Sequence, residues 1–302
     1  TTGLEIRERL AASKTIEVRS IDPAKRKDPK ARQALMGGVD VVILCLPDDA
    51  AKEAVALAGE LGDKGPRIID ASTAHRVAEG WTYGFPEMTK GQAEAVAKAR
   101  RIANPGCYPT GGIALIRPLV EAGIMPADFP VTVNAASGYS GGGKSMIEAY
   151  QAGTAPSFEL YGLGFEHKHV PELQKYSMLK RRPIFIPSVG NWRQGMLVSV
   201  PLHLDTLPGK PKAADLEAAL TAHYKGAELV RVVPAANAKG GRLGIEDLNK
   251  TDVMELSVFS HPGHGQAVLV ARLDNLGKGA SGAAVQSLGL MLGVDVGICA
   301  AG

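Results

Sequence analysis

A change of rhythm near residue 106 constrains this chain more than any other feature. Before it, Ile16–Ile21, Val39–Leu46, Arg67–Asp70 and Arg101–Ala103 read as strands. They are separated by helical stretches at Ala50–Leu61 and Lys90–Arg100, and by Ala24–Met36, helical in part. Strands recurring at helix-length intervals call for crossover connections and a parallel sheet. The run VDVVILCL at Val39–Leu46 has the composition of a strand buried on both faces, and Asp48 and Asp49 stand where the next helix is capped. After residue 107 strands dominate, at Val131–Ala136, Pro183–Val189, Met196–Leu202, Leu229–Val233, Met254–Ser260 and Gln266–Leu273. Only Thr110–Ala122, Lys144–Gln151, Ala213–Tyr224 and Ala280–Leu292 read as helices there, so a mostly antiparallel α+β domain is expected. Ala280, Ala283, Ala284 and Gly289 are small enough for the closing helix to pack tightly back on the first domain. The expected division is 1–106 with 278–302, and 107–277.

Charge and composition remove several function classes. Among 302 residues, 34 basic and 31 acidic side chains leave a net charge of +3, too balanced for a nucleic-acid binder. No apolar run approaches the roughly 18–20 residues that span a bilayer, so no membrane association is expected. Cys45, Cys107 and Cys299 are too scattered for a disulfide framework or a metal site, and no signal peptide is visible, so the cytoplasm is the expected location. The 36 glycines, without a repeat, suit tight turns and close backbone approaches. The chain opens as Thr1-Thr2-Gly3-Leu4, helical at once. A strand of about six residues and a glycine turn are therefore expected ahead of it, with Gly3 closing a dinucleotide fingerprint.

Five segments carry candidate chemistry. Asn104-Pro105-Gly106-Cys107-Tyr108-Pro109-Thr110 places Cys107 at a helix N-terminus, where N–H groups and the dipole favour thiolate; the alternative is a buried cysteine serving as a small hydrophobe. In Glu166-His167-Lys168-His169-Val170-Pro171-Glu172, imidazole is a general base beside a thiolate, with a carboxylate fixing its tautomer. No third ligand completes a metal site there, and surface histidines are the alternative. Gly138–Ser145 matches the phosphate-loop pattern G-x-x-x-x-G-K-[ST], with Lys144 and Ser145 as its functional pair; equally, its glycines admit a nicotinamide or substrate. Arg19, Ser20, Lys25 and Arg26 lie where ribose selectivity is usually set, and their cationic, hydroxyl-bearing character suits a 2′-phosphate, though Asp22 opposes it. Asp70-Ala71-Ser72-Thr73-Ala74-His75-Arg76 follows a strand's C-terminal end, and Arg76 has the fork that grips phosphate.

Taken in order, TTGLEIR, CLPDDAAKEA, DASTAHR, YGFPE, NPGCYPTG, SGYSGGGK, HKHVPE, PSVGNWRQGM and DNLGKGASGAAVQ cover essentially the whole chain. Together they resemble the N-acetyl-gamma-glutamyl-phosphate reductase family, in the shorter of its two sequence types, which is similar to aspartate-semialdehyde dehydrogenase. The resemblance implies a Rossmann-type parallel-sheet domain and an α+β catalytic domain like the C-terminal domain of glyceraldehyde-phosphate dehydrogenase. It implies NADP, an acyl-phosphate substrate reduced through a cysteine thioester, arginine biosynthesis, and a homo-oligomer, dimer or tetramer. Cys107 is then the nucleophile and His167 the acid/base oriented by Glu172, with His169 as runner-up in that role or a substrate ligand. Arg76 and Asn104 fall on the substrate phosphate. Gly3, Ser20, Arg26, Leu46, Pro47, Ser72, Gly138, Ser140, Gly141, Gly142 and Gln286 fall on the cofactor, and no metal is implied. One departure is visible: Ser287 stands where the family usually has Asn after Gln286. A reductase of another acyl phosphate, aspartyl or aminoadipyl in type, a P-loop ATPase and a noncatalytic dinucleotide-binding regulator are the competing readings.

Overall fold

The computed structural model describes residues 2–300, without the side chain of Leu4. The expected strand and glycine turn ahead of the chain, Thr1 itself and the Leu4 side chain lie outside the described residues.

The first part runs α1 (Thr2–Ala11), α2 (Pro29–Met36), β1 (Val41–Leu44), α3 (Asp48–Gly59), β2 (Arg67–Asp70), β3 (Thr82–Tyr83), α4 (Gln92–Lys98) and β4 (Arg101–Ala103). Its strands form a parallel sheet in the order β1-β2-β4-β3, with Val41 opposite Arg67 and Ile68 opposite Arg101. Two expectations fail. Residues 16–21 are not a strand: alternation alone does not make one, since a ladder needs a partner and none pairs with them among the described residues. The Val39–Leu46 run is cut to four residues at the sheet edge, where only Leu44 is fully buried.

The second part comprises α5 (Cys107–Glu121), β5 (Thr132–Gly138), α6 (Gly143–Gln151), β6 (Phe158–Leu160), α7 (Val170–Tyr176), β7 (Ile184–Gly190), β8 (Met196–His203), α8 (Ala213–His223), β9 (Val230–Val232), β10 (Met254–His261) and β11 (Gln266–Leu273). The sheet order is β6-β7-β5-β8-β11-β10-β9, antiparallel except at β5–β7 and β9–β10. Helix α5 is its central buttress. Ile113, Leu115, Ile116 and Leu119 are fully buried in one core with Val198, Val200, Leu256 and Leu269. A methyl group on Gly111 would stand 2.8 Å from Val198 Cγ2, so the missing side chain lets the helix lie directly on β8.

A π turn at Gly277–Ser281 leads from β11 into α9 (Gly282–Leu292). Ala284, Val285, Leu288 and Met291 of α9 share a buried cluster with Ile6, Leu10, Ile69, Val96 and Ile102. The last helix thus packs on the first sheet, and the π turn runs back past the start of α5. Among the described residues, no helix is long and apolar enough to cross a membrane.

Candidate active site

Cys107 is the first residue of α5, directly beyond the turn that leaves β4. Gly106 is extended at the cap position, and Thr110 Oγ1 donates to its carbonyl at 2.9 Å. The N–H groups of Cys107 and Tyr108 face the sulfur, and Arg76 adds positive charge. The expected low thiol pKa is nevertheless overturned. Burial pushes the Cys107 thiol up to about 11, outweighing Arg76 and the two N–H groups, so the resting group is a thiol at neutral pH. Part of that enclosure comes from the π turn. A methyl group on Gly279 would lie 2.9 Å from Cys107 Cβ, and only glycine's bare backbone fits there.

Three expected residues converge on Gly106: a methyl group there would lie 2.6 Å from Arg76 Nη1, 2.6 Å from Glu172 Oε1 and 2.9 Å from His169 Nε2. Glu172, 1% exposed, accepts from Arg76 Nη1 at 2.6 Å, from Tyr83 O–H at 2.8 Å and from the Gly106 N–H at 3.1 Å. Its carboxylate is thus engaged by these three donors and does not orient His167, contrary to the expectation. Arg76 gives its second arm to the Ala71 carbonyl at 3.2 Å, and only its buried Nε is unpaired. Its fork therefore grips Glu172 and does not stand open for a phosphate.

The two histidines are placed differently. His167 lies edge-on to Tyr108 and Phe185, and its Nδ1 accepts the His169 N–H at 3.1 Å. That hydrogen bond fixes the Nε2–H tautomer. Burial, with Lys168 and Arg76 adding to it, lowers the His167 pKa to about 4. His169 is held well below the usual imidazole range, first by burial and then by Arg76 and its histidine neighbour, and its Nδ1 is buried without a partner. It is His169, through Nε2, that reaches the turn carrying Cys107.

Of the residues expected to face the cofactor, Leu46, Pro47 and Ser72 follow the C-terminal ends of β1 and β2, while Gly138, Ser140, Gly141 and Gly142 lie at and just after the end of β5. Leu46 is exposed and Pro47, in place of the expected aspartates, occupies the cap position of α3; Asp48 instead accepts from Thr73 N–H and O–H at 3.0 and 2.6 Å. Ser72 is buried and bonded to Asp70 Oδ2 at 2.7 Å, which also holds His75 Nδ1 at 2.6 Å. Gly3 sits in the first turn of α1, where a methyl group would lie 3.2 Å from Cys45 Cβ. Asn104, expected on the substrate phosphate rather than the cofactor, gives its Nδ2 to the Ala280 carbonyl at 3.0 Å, leaving Oδ1 buried and unpaired. Ser20 and Arg26 lie exposed between α1 and α2.

On the second loop, Gly138 passes so close to Arg193 that a methyl group would stand 2.5 Å from its carbonyl oxygen. Ser140 accepts from Asn275 Nδ2 at 2.9 Å, Gly141 lies beside the same amide, and Gly142 packs on Met146. The phosphate-loop reading fails here. Lys144 is 88% exposed and pairs with Glu148 of its own helix at 3.5 Å, turned out to solvent rather than back over the glycines. Gln286 also departs from expectation, because both ends of its amide are used by Glu87 and Lys278 at 2.7 Å.

Sequence reasoning missed several members of this cluster. Tyr83 lies on a two-residue strand too short to carry a pattern, and its stacking on Tyr176 at 3.8 Å spans distant segments. Tyr108 and Tyr161 share an O–H···O contact at 2.9 Å. Gly279 and Lys278 were visible only as letters of the DNLGKGASGAAVQ segment.

Comparison with known proteins agrees with this architecture. Residues 5–98 match the family described as semialdehyde dehydrogenase, NAD binding domain, and residues 107–275 match semialdehyde dehydrogenase, dimerisation domain. The chain is 56% identical to N-acetyl-gamma-glutamyl-phosphate reductase of Brucella suis (strain ATCC 23445 / NCTC 10510), over 97% of this chain and 96% of that protein. It is 55% identical to the protein of the same name from Brucella abortus (strain S19), with the same coverage. In fold it is similar to aspartate semialdehyde dehydrogenase from Francisella tularensis, with TM-score 0.70 and 14% identity over 96% of each chain. Aspartate semialdehyde dehydrogenase II from Vibrio cholerae gives TM-score 0.65 at 17% identity, over 85% of this chain and 80% of that one. Identity of 55–56% over 97% of the chain, with both semialdehyde dehydrogenase domains matched, means that this chain belongs to the N-acetyl-gamma-glutamyl-phosphate reductase family, within the semialdehyde dehydrogenases.

Proposed function

We propose that this protein reduces N-acetyl-L-glutamyl 5-phosphate to N-acetyl-L-glutamate 5-semialdehyde, releasing phosphate and oxidising NADPH, as a step of arginine biosynthesis. The observation that carries the reading is the seat of Cys107: the first turn of a buried helix, with Arg76, Glu172 and His169 converging on the residue before it.

The cofactor side fits a dinucleotide. The ends of β1, β2 and β4 carry Leu46, Pro47, Ser72 and Asn104, and two buried polar atoms nearby, Asn104 Oδ1 and Ser287 Oγ, have no partner in the chain. Ser20 and Arg26 would meet the 2′-phosphate, Ser72, Gly138, Ser140, Gly141 and Gly142 the nicotinamide side. NADPH, when bound, supplies the hydride that reduces the acyl group.

The chain's own residues handle sulfur, proton and phosphate. Cys107 sulfur attacks the γ-acyl carbon while its proton moves to His169 Nε2; the carbon–oxygen bond to phosphate breaks, and His169 passes the proton to the departing oxygen. The thioester, once reduced, leaves an oxyanion that collapses with cleavage of the carbon–sulfur bond. Sulfur retains that electron pair and takes a proton from solvent. Helix N–H groups beside Cys107 stabilise the oxyanion, and Arg76 offsets the phosphate charge. Glu172 serves by holding Arg76 and the Gly106 N–H, and His167 by presenting a neutral N–H.

The molecule divides for this purpose into a dinucleotide domain, 1–106 with 278–302, and a substrate domain, 107–277. A homodimer or tetramer in the cytoplasm completes the reading. An apolar groove of about 940 Å³ between β5, β8, β10 and β11, lined by Phe129, Pro201, Leu202 and Phe259, is the face to test by light scattering. The decisive assay for substrate is the phosphate-dependent reverse reaction with N-acetylglutamate, aspartate and aminoadipate semialdehydes. NADPH formation with the first alone supports the reading; preference for another semialdehyde transfers it to that acyl phosphate.

A further inference from the structure

The segment between β11 and α9 buries a cation that the chemistry above does not use. Lys278 is 1% exposed, and its ammonium donates to Glu87 Oε2 and to Gln286 Oε1, both at 2.7 Å. Gln286 closes the ring by donating to Glu87 Oε1 at 2.7 Å. The Phe85 ring lies 5.4 Å from the same ammonium. Three separate pieces of chain meet here: the loop after β3, the π turn and helix α9.

Desolvating an ion pair costs about as much as the attraction returns, so a ring of this kind contributes little net stability over apolar side chains of the same size. What it does supply is a fixed geometry for the turn that bears it. That turn is a π turn, a conformation found mostly as single turns and frequently at functional sites. Within it, the two residues after Lys278 touch the active site directly. A methyl group on Gly279 would lie 2.9 Å from Cys107 Cβ and 3.3 Å from Cys107 Cα, and the Ala280 carbonyl receives the Asn104 amide at 3.0 Å.

We propose that Lys278 is a positioning residue for Cys107: its buried ring with Glu87 and Gln286 sets the π turn, and the bare Gly279 backbone sets the nucleophile against the incoming acyl carbon. This deepens the thioester reading and rests on it. Because packed interiors transmit small shifts, a turn displaced by a fraction of an ångström moves the sulfur with it.

The test compares K278M, the double variant E87Q/K278M and G279A for urea stability, NADPH binding, kcat, KM and the rate of Cys107 alkylation. K278M leaves Glu87 buried without its cation; the double variant removes that charge and restores stability. The expected result is a kcat reduced about 10–100-fold in both, with KM and NADPH affinity little changed and the alkylation rate altered. G279A reproduces the kinetic loss with the ring intact. Recovery of kcat together with stability in E87Q/K278M, or normal kcat in G279A, overturns the proposal and leaves the ring a purely structural pair. If K278M does not fold, the other two variants decide. Wild-type enzyme alkylated at Cys107 serves as the control: continued turnover there defeats the thioester reading, and the alkylation rates alone then judge the ring.

Discussion

Arg76 Nη1 and Glu172 Oε1 lie 2.6 Å apart with side-chain exposures of 10% and 1%, so the pair is almost completely withdrawn from water. The same carboxylate holds Tyr83 and the Gly106 N–H. Removing one member of a buried pair strands the other, at a cost of about 3–5 kcal/mol. Glu172→Ala is expected to lose stability on that scale in urea denaturation and to lose turnover with it. Glu172→Gln keeps the shape and some of the hydrogen bonds and is expected to lose less. A stability change under about 1 kcal/mol for Glu172→Ala, the range of exposed pairs, contradicts this account.

Cys107 provides the pH dependence. With the thiol pushed up to about 11, only ~1 in 10⁴ molecules carries a thiolate at pH 7. Because thiolate is the reacting form, iodoacetamide modification of the ligand-free enzyme should accelerate about tenfold per pH unit up to about pH 10–11. An accessible free cysteine levels off near its ordinary value, about 8.5. A rate that plateaus below pH 8 means that the helix terminus prevails over burial after all.

The histidine pair separates kinetically. His169 Nε2 approaches the Cys107 turn, while His167 spends its Nδ1 on the His169 N–H. His169→Ala should cost about 10²–10⁴-fold in kcat, the range of a lost acid/base group. His167→Ala should be milder and appear partly in KM, since it loosens the backbone of its neighbour. The reverse ranking in steady-state assays returns the acid/base role to His167.

The residues proposed to select the cofactor, Ser20 and Arg26, are exposed. If Ser20 and Arg26 meet the 2′-phosphate, Arg26→Ala should weaken NADPH binding in a fluorescence titration and leave NADH binding nearly unchanged. Equal weakening of both cofactors removes Arg26 from that role.

Local elements were legible wherever a sequence pattern had a physical cause. The bounds of β2, β4 and β11 follow directly from apolar runs, and Cys107 could be placed at a helix start because Pro109 suits a first turn. Contacts between distant segments were not legible. Nothing near Glu172 in sequence indicates that Arg76 and Tyr83, 96 and 89 residues away, would claim its carboxylate. The phosphate-loop pattern, a competing reading, was undecidable from sequence for a related reason: it specifies glycines and a lysine, but not the direction in which Lys144 turns. The thiol pKa was misread because helix-end electrostatics are local, whereas enclosure by the π turn comes from residues about 170 positions further along.

The central claim is that Cys107 carries the acyl group, and it is tested most directly by mixing enzyme with N-acetylglutamate 5-semialdehyde and NADP⁺ in the absence of phosphate. The account predicts a burst of one NADPH per active site and an N-acetylglutamyl adduct on the Cys107 peptide by mass spectrometry. Both should be absent in Cys107→Ser, and added phosphate should start steady turnover. NADPH formation without any adduct on Cys107, or a burst of equal size in Cys107→Ser, contradicts it.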